Sequence, residues 1–277
     1  MNVVGLGKTA CNIAKEFQKY PQYKTFFLNS EKLEENNFFL IPKQDSHELY
    51  EESCPDLSSF SSKVDDDVIF IVNGGGTITG SVLRILEKIK DKKITIIFLK
   101  PEEASLTSLR KTQNKVVFNI LQEYTRSGLF ERMFILELDK VEEAVTGITI
   151  LNRIKKINEF ICDLIHTVNI FENTSAIFET PKENVDFSRI YSIGIYDFEN
   201  NLEKMFFSLD TPKEFCYYYN IPMKTLEEDT EIFKRITNRM KEKTKEKECH
   251  ISYSIYGTHH QQIYSYVISN SHLIQKF

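Results

Sequence analysis

Over the first half of the chain, short continuous apolar runs alternate with stretches of helical periodicity. Residues 2–6, 24–28, 38–41, 68–72, 93–99 and 133–138 are such runs. Each is short and rich in β-branched or aromatic residues, so each predicts a strand. Runs without polar alternation suit strands covered on both faces, the environment of a parallel sheet. Between them Ala10, Ile13, Ala14 and Phe17 recur at helical spacing, as do Val82, Ile85, Leu86 and Ile89. A longer helix is predicted over 105–124, with Ser105 as cap and Leu109, Val116, Val117, Ile120, Leu121 and Tyr124 as its buried side. Another is predicted over 147–168. Its face of Ile150, Ile154, Ile157, Phe160, Ile161, Leu164, Ile165 and Val168 is broad enough for a helix packed between two bodies. The polar stretch 45–62 reads as a loop with one helical turn near 47–53 and an exposed His47.

Beyond Asn173 the pattern changes. Residues 175–178 suggest a strand, and 190–198 and 202–209 flank Glu199-Asn200-Asn201 as the strands of a hairpin do. Pro212, near a first helical position, predicts a short helix over 211–219. Thr225-Leu226-Glu227-Glu228 has the form of a capping box and predicts the start of a helix with Ile232, Phe233, Ile236 and Met240 on one face. Strands over 251–256 and 263–268 flank the turn Gly257-Thr258-His259-His260. The predicted fold class is α/β. A Rossmann-like parallel sheet forms a nucleotide domain over 1–168, closed by a long central helix over 147–168. A smaller α+β domain follows over 174–277.

Four of the ten glycines lie at 74, 75, 76 and 80, in Asn73-Gly74-Gly75-Gly76-Thr77-Ile78-Thr79-Gly80-Ser81. This stretch follows a predicted strand and precedes helical spacing. Consecutive glycines allow backbone N–H groups to turn toward a ligand. Thr77, Thr79 and Ser81 add hydroxyl donors, and a helix start adds unpaired N–H groups and partial positive charge. The expectation is a phosphate cradle. A second turn, Gly5-Leu6-Gly7-Lys8-Thr9, ends the first strand and opens a helix, the geometry of a nucleotide-phosphate turn. It is not a P-loop, because the GxxxxGK[ST] spacing is missing.

Composition narrows the classes. The chain has 277 residues, 41% of them hydrophobic, enough for one large or two modest cores. A net charge of −5 disfavours direct nucleic-acid binding. No apolar run approaches the roughly 18 residues of a membrane span, and the N-terminus lacks a signal-peptide layout, so a cytoplasmic protein is expected. Five scattered cysteines without a CxxC read as reduced thiols, and no metal site is predicted, the His259-His260 pair being read as exposed turn residues.

Together the two glycine turns resemble those of the tubulin/FtsZ superfamily. In that family a GxGGxGxN turn and a later GGGTGTG turn hold the phosphates of GTP. Gly5-Leu6-Gly7-Lys8-Thr9-Ala10-Cys11-Asn12 stands for the first, and Gly74 to Gly80 for the second, which departs from the family only at Ile78. Asn29-Ser30-Glu31 resembles the family's NTD. Pro101 followed by Arg110 is similar to its ribose- and phosphate-contacting loop, with Glu102 or Glu103 as ribose acceptor. Asn158 resembles the guanine-contacting residue of the central helix. Asn184-Val185-Asp186-Phe187-Ser188-Arg189 resembles the NxDxxD loop that completes the neighbouring subunit's site.

The resemblance implies GTP or GDP as ligand, with magnesium as a candidate companion ion. It places the nucleotide on Gly5, Gly7, Lys8, Thr9, Asn12, Gly74, Gly75, Gly76, Thr77, Thr79, Gly80, Glu103, Arg110 and Asn158, and gives Asn184 and Asp186 catalytic roles. It implies head-to-tail self-assembly into filaments; an adaptor or cargo is not legible. Lys8, Thr9 and Ala10 replace glycines of the first turn, Leu138-Asp139 replaces the guanine-loop pattern, and Arg189 replaces the second acid of the NxDxxD loop. Binding is therefore expected with hydrolysis weak or lost, and whether the chain is a GTPase stays open. The compact chain ends at Phe277 just after a strand, without the tail of bacterial division filaments. Its expected kin are phage- or plasmid-type tubulin-like proteins, with a host-cytoplasmic location if phage-encoded. Two alternatives remain: a nucleotide-free scaffold of the same fold, and a Rossmann-type dinucleotide enzyme using Gly5-Leu6-Gly7.

Overall fold

The computed structural model describes residues 1–182 and 187–277. They form two compact units, Met1–His166 with Ile274–Phe277, and Thr167–Leu273. The first unit contains β1 (Asn2–Leu6), α1 (Lys8–Glu16), β2 (Lys24–Asn29), β3 (Phe38–Leu40), α2 (His47–Glu52), α3 (Ser58–Ser61) and β4 (Asp67–Asn73). After a 3-10 turn (Thr77–Ser81) come α4 (Val82–Glu87), β5 (Lys93–Lys100), α5 (Ser108–Arg126), β6 (Arg132–Glu137) and α6 (Leu138–Ala144). The helix α7 (Arg153–Asn173) starts in this unit, and the division falls inside it, between His166 and Thr167.

The six predicted apolar runs are the six strands, all parallel, in the order β3-β2-β1-β4-β5-β6. Burial on both faces explains the lack of alternation in five of them, with Val3, Val4, Phe26, Phe70, Ile71, Val72, Ile96 and Phe98 all 2% exposed or less, while the edge strand β3 is only half-covered. The chain winds outward from β1 in both directions, to β2 on one side and β4 on the other. A crevice therefore opens between the carboxyl ends of β1 and β4, where open α/β sheets bind ligands.

Helix boundaries and faces differ from the periodicity in three places. The cap of α5 is Thr107, whose hydroxyl accepts the Arg110 N–H, while Ser105 lies in a separate 3-10 turn. Leu109, Val116 and Tyr124 face outward, and the buried side is Asn114, Val117, Phe118, Leu121, Gln122 and Thr125. Three polar residues fall on that side. Thr125 bonds Leu121 O, and Gln122 exchanges bonds with the backbone of Gln275. The long helix starts at Arg153, not residue 147, and runs on to Asn173. Gly147 has φ +70°, and Thr149 and Asn152 exchange side-chain bonds in a turn that holds the chain out of the helix. Ile150 and Leu151 are consequently 95% and 98% exposed, and Ile154 is also exposed. Residues 138–144, read only as a loop motif, form α6, with Glu137 ion-paired to Lys100 and Lys140.

In the second unit β7 (Phe178–Glu179), β8 (Ile190–Asp197), β9 (Leu202–Met205), β10 (Glu214–Pro222), α8 (Met223–Glu228), α9 (Ile232–Glu246), β11 (His250–Thr258) and β12 (Tyr264–Ser271) follow the end of α7. The strand order is β8-β12-β10-β11-β7, with β9 beside β8 as the expected hairpin. Only the β10–β11 pair is parallel among those described.

The helix predicted over 211–219 is instead the central strand β10, buried along its whole length. Thr211 takes φ +48°, which no helix start can use, and the Phe215-Cys216-Tyr217-Tyr218-Tyr219 run has the aromatic character of a strand. Phe215, Tyr217, Tyr219 and Ile221 lie on one face, packed with Ile232, Ile236 and Met240 of α9. The capping-box residues 225–228 lie within α8, and α9 begins after a turn in which Asp229 accepts the Glu231 N–H. Phe233 is half-exposed, edge-on to Phe178.

Ile236 is fully buried against this aromatic cluster. Ile236→Ala should cost about 2–5 kcal/mol, the range for emptying a core aliphatic site. A lower urea midpoint at unchanged m-value is the expected reading.

Candidate functional site

At the end of β1 the backbone turns at Gly7, whose φ of +83° excludes most side chains. Its N–H donates to Leu28 O at 2.8 Å, and its carbonyl accepts the Cys11 N–H at 2.9 Å, which closes the first turn of α1. That helix has no side-chain cap and no acidic residue in its first turn. The N–H groups of Lys8, Thr9 and Ala10 therefore lie at a helix start without intrahelical acceptors, where the macrodipole adds positive charge. Lys8 leans across the turn to Glu31, 3.6 Å away, with both side chains exposed. Gly5 answers a different need. A Cβ there would meet Ala10 O at 2.5 Å, so its glycine permits close strand–helix packing. Cys11 donates to Gly5 O, and burial pushes its thiol up to about 12, which leaves it unreactive.

The donors of the second turn are bound partly from within and partly by the neighbouring strand β5. Gly74 N–H donates to Leu99 O at 3.1 Å, Gly75 N–H to Asn73 Oδ1 at 3.1 Å, and Gly76 N–H to Asn73 O at 3.4 Å. The Thr79 hydroxyl donates to Gly76 O at 2.7 Å and that of Ser81 to Ile78 O at 2.7 Å. The Gly75 and Gly76 N–H groups and two of the hydroxyls expected to face a ligand are thus engaged inside the loop, while the Gly74 N–H extends the pairing of β4 with β5. A 3-10 turn, rather than an α-helix start, follows the glycines.

Ile78 lies in this 3-10 turn and is absent from the left-handed non-glycine residues of the described chain, Asn201 and Thr211, so the β-branched side chain there is unstrained. It is 8% exposed, and its Cγ2 stands 2.9 Å from where a Cβ on Gly7 would lie. The two glycine turns therefore meet through Ile78. Gly74 and Gly80 are tightly overlaid: a Cβ would lie 1.8 Å from Asn114 Oδ1 at the first and 1.9 Å from His47 O at the second.

Two of these neighbours were not visible as site residues in the sequence. His47, read as an exposed loop residue, is half-buried at the start of α2 with Nε2 3.2 Å from Thr79 Oγ1. Burial lowers its pKa, and the charge of Arg110 pushes the same way against Glu48 and Glu51. Asn114 faces Gly74 from α5. The only local signal for α2 is Ser46, whose hydroxyl accepts the Leu49 N–H as a cap; nothing in the sequence links it to the glycine loop.

Of the other predicted residues, Thr9 and Asn12 are half-buried on α1, Thr77 is half-buried in the loop, and Arg110 lies in the first turn of α5. Glu103 is exposed in the 3-10 turn Glu103–Ser105, and Asn158 is buried on α7 within the first unit. Asn184 and Asp186 lie outside the described residues. Arg189 immediately precedes β8.

With this geometry in hand, comparison with solved structures identifies the fold. An FtsZ dimer of M. jannaschii, described as empty, matches 98% of this chain and 87% of its own at 15% identity and TM-score 0.67. A GTPγS-form protofilament of Bacillus thuringiensis serovar israelensis TubZ matches 97% and 86% at 15% identity and TM-score 0.70. CetZ2 of Haloferax volcanii, a GTPγS-bound protofilament, matches 96% and 91% at 12% identity and TM-score 0.71. No protein-family model and no curated protein matches the sequence. Over nearly its whole length the chain has the fold of these FtsZ, TubZ and CetZ structures. Among the described residues no helix is long and apolar enough to cross a membrane.

Burial shifts His47 toward its neutral form in the fold, whereas an unfolded chain would protonate it near its ordinary value of 6.5. Below pH 6.5 the unfolded state therefore binds more protons at this site, and stability falls as pH falls. His47→Gln should flatten the decline of Tm between about pH 7 and pH 5, measured by thermal melts of both proteins.

Proposed function

We propose that this protein binds GTP or GDP in the crevice between β1 and β4 and assembles head to tail into filaments in the cytoplasm. The observation that carries the reading is the uncapped start of α1 at that crevice, three backbone N–H groups without intrahelical acceptors and no acidic residue in the helix's first turn. The second glycine turn, Gly74 to Gly80 (the signature loop), meets it through Ile78 and Gly7, and Lys8 stands at the rim. Asn12, Thr77, Glu103, Arg110 and Asn158 are the further contacts we assign by resemblance. The fold is shared with proteins solved as GTPγS- and GDP-form protofilaments, which supports both the ligand and the assembly.

Magnesium would be bound chiefly through the phosphates. Among the described residues no three His, Cys, Asp or Glu side chains gather to hold a cation. In the filament, the segment around Asn184 and Asp186 of one copy would face the nucleotide of the next. Arg189 in place of an acid would pair with phosphate without activating water, so turnover is slow relative to binding.

A second reading, a scaffold of the same fold without nucleotide, is favoured by the inward bonds of the Gly74, Gly75 and Gly76 N–H groups. Titration with GTP, GDP and ATP, followed by phosphate release and sedimentation, separates the two. Guanine-specific binding with GTP-dependent pelleting is expected, and no binding at high micromolar nucleotide sinks the first reading.

Thr9→Glu places an acid in the first turn of α1, where it favours the helix but repels phosphate. The variant should melt no lower than the parent yet bind GDP about a hundredfold more weakly, as a like-charge juxtaposition of several kcal/mol implies. Calorimetry of both reads the two effects separately.

A further inference from the structure

Asn114 has no part in the site as assigned so far. It is fully buried on α5, in a position where a Cβ on Gly74 would lie 1.8 Å from its Oδ1 and 2.6 Å from Phe98 Cζ. Its amide therefore abuts the backbone of the signature loop. Neither Oδ1 nor Nδ2 has a hydrogen-bond partner among the described residues. Buried primary amides rarely leave both groups unmade, since each was fully solvated in the unfolded chain.

Across the loop the situation is reversed. Gly75 N–H is held by Asn73 Oδ1 at 3.1 Å, and Gly76 N–H reaches Asn73 O only at 3.4 Å. These are the donors that a phosphate at the β1–β4 crevice would require. A peptide carries N–H and C=O on opposite sides, so turning its N–H outward turns its carbonyl inward. Between glycines such a rotation meets little steric resistance.

We propose that Asn114 is a positioning residue that holds the signature loop in its nucleotide-bound form. When the Gly75 or Gly76 N–H leaves Asn73 for a phosphate oxygen, the carbonyl of the same peptide swings inward and accepts from Asn114 Nδ2. The ligand gains a donor, and the buried amide gains its missing bond. The closed loop is then the empty form of the site, and Ile78, seated against Gly7, stays where it is. The inference rests on the nucleotide reading above.

Asn114→Leu keeps the number and branching of the side-chain heavy atoms and removes both hydrogen-bonding groups. GDP affinity and Tm are measured on the full chain beside the parent protein. The free variant is expected to melt at or above the parent temperature, while GDP binds about tenfold more weakly. In the isotope-labelled parent, the Asn114 side-chain amide protons are expected to move downfield and exchange more slowly on saturation with GDP. If the variant binds GDP as the parent does, the inference falls while the nucleotide reading stands. If the parent binds no guanine nucleotide, both fall together. Should Asn114→Leu fail to fold, the amide resonances decide, and unchanged shifts on saturation overturn the inference.

Discussion

Parallel pairing of β1 with β4, in register from Asn2 opposite Val68 to Leu6 opposite Val72, is the constraint on which the first unit depends. It brings two separate glycine turns to the same sheet edge. It also sets how closely the following segments must pack. Gly5 lets α1 lie against the strand, Gly74 lets α5 approach β4, and Gly80 lets the start of α2 lie on the loop. Half of the assigned phosphate glycines are thus explained by packing before any ligand is considered. Gly7 alone among them is required by its backbone angle.

That division bears on function. In a loop whose glycines serve packing, N–H groups need not face solvent, and here those of Gly74, Gly75 and Gly76 turn inward. The start of α1 offers free donors, because no residue caps it. The proposed site therefore has one ready half and one half that must rearrange. Cradle and closed loop have similar sequences because both need residues without Cβ, for different reasons.

The second unit rests on another interaction, the layered aromatic packing of β10. Tyr196 meets Tyr217 edge-on at 5.1 Å, and Phe198 meets Tyr219 at 5.6 Å, over the buried face of α9. On the opposite face Phe171 stacks on Tyr218 at 4.6 Å and lies 4.9 Å from Tyr256. Geometry of this kind adds directional attraction to burial, so it fixes the strand register as well as stabilising the core.

The strands of the first unit were legible because continuous apolar runs have few other stable forms, and the two glycine turns were legible because Gly7 and Gly74 to Gly76 are local. Their family resemblance followed from the same short stretches. Tertiary structure decided the rest. Residues 211–219 satisfied helix rules locally, yet Thr211 turns the chain and the tyrosines are buried on both faces of a sheet. Ile150 and Leu151 continued a helical stripe that the Thr149–Asn152 turn interrupts. His47 and Asn114, distant in sequence from the glycine loop, became its neighbours only through packing against Gly80 and Gly74. Local pattern determined which segments of the first unit are strands and where the glycine turns fall. Contacts between distant residues decided which donors are free, since a hydrogen bond depends on what the fold places opposite each N–H.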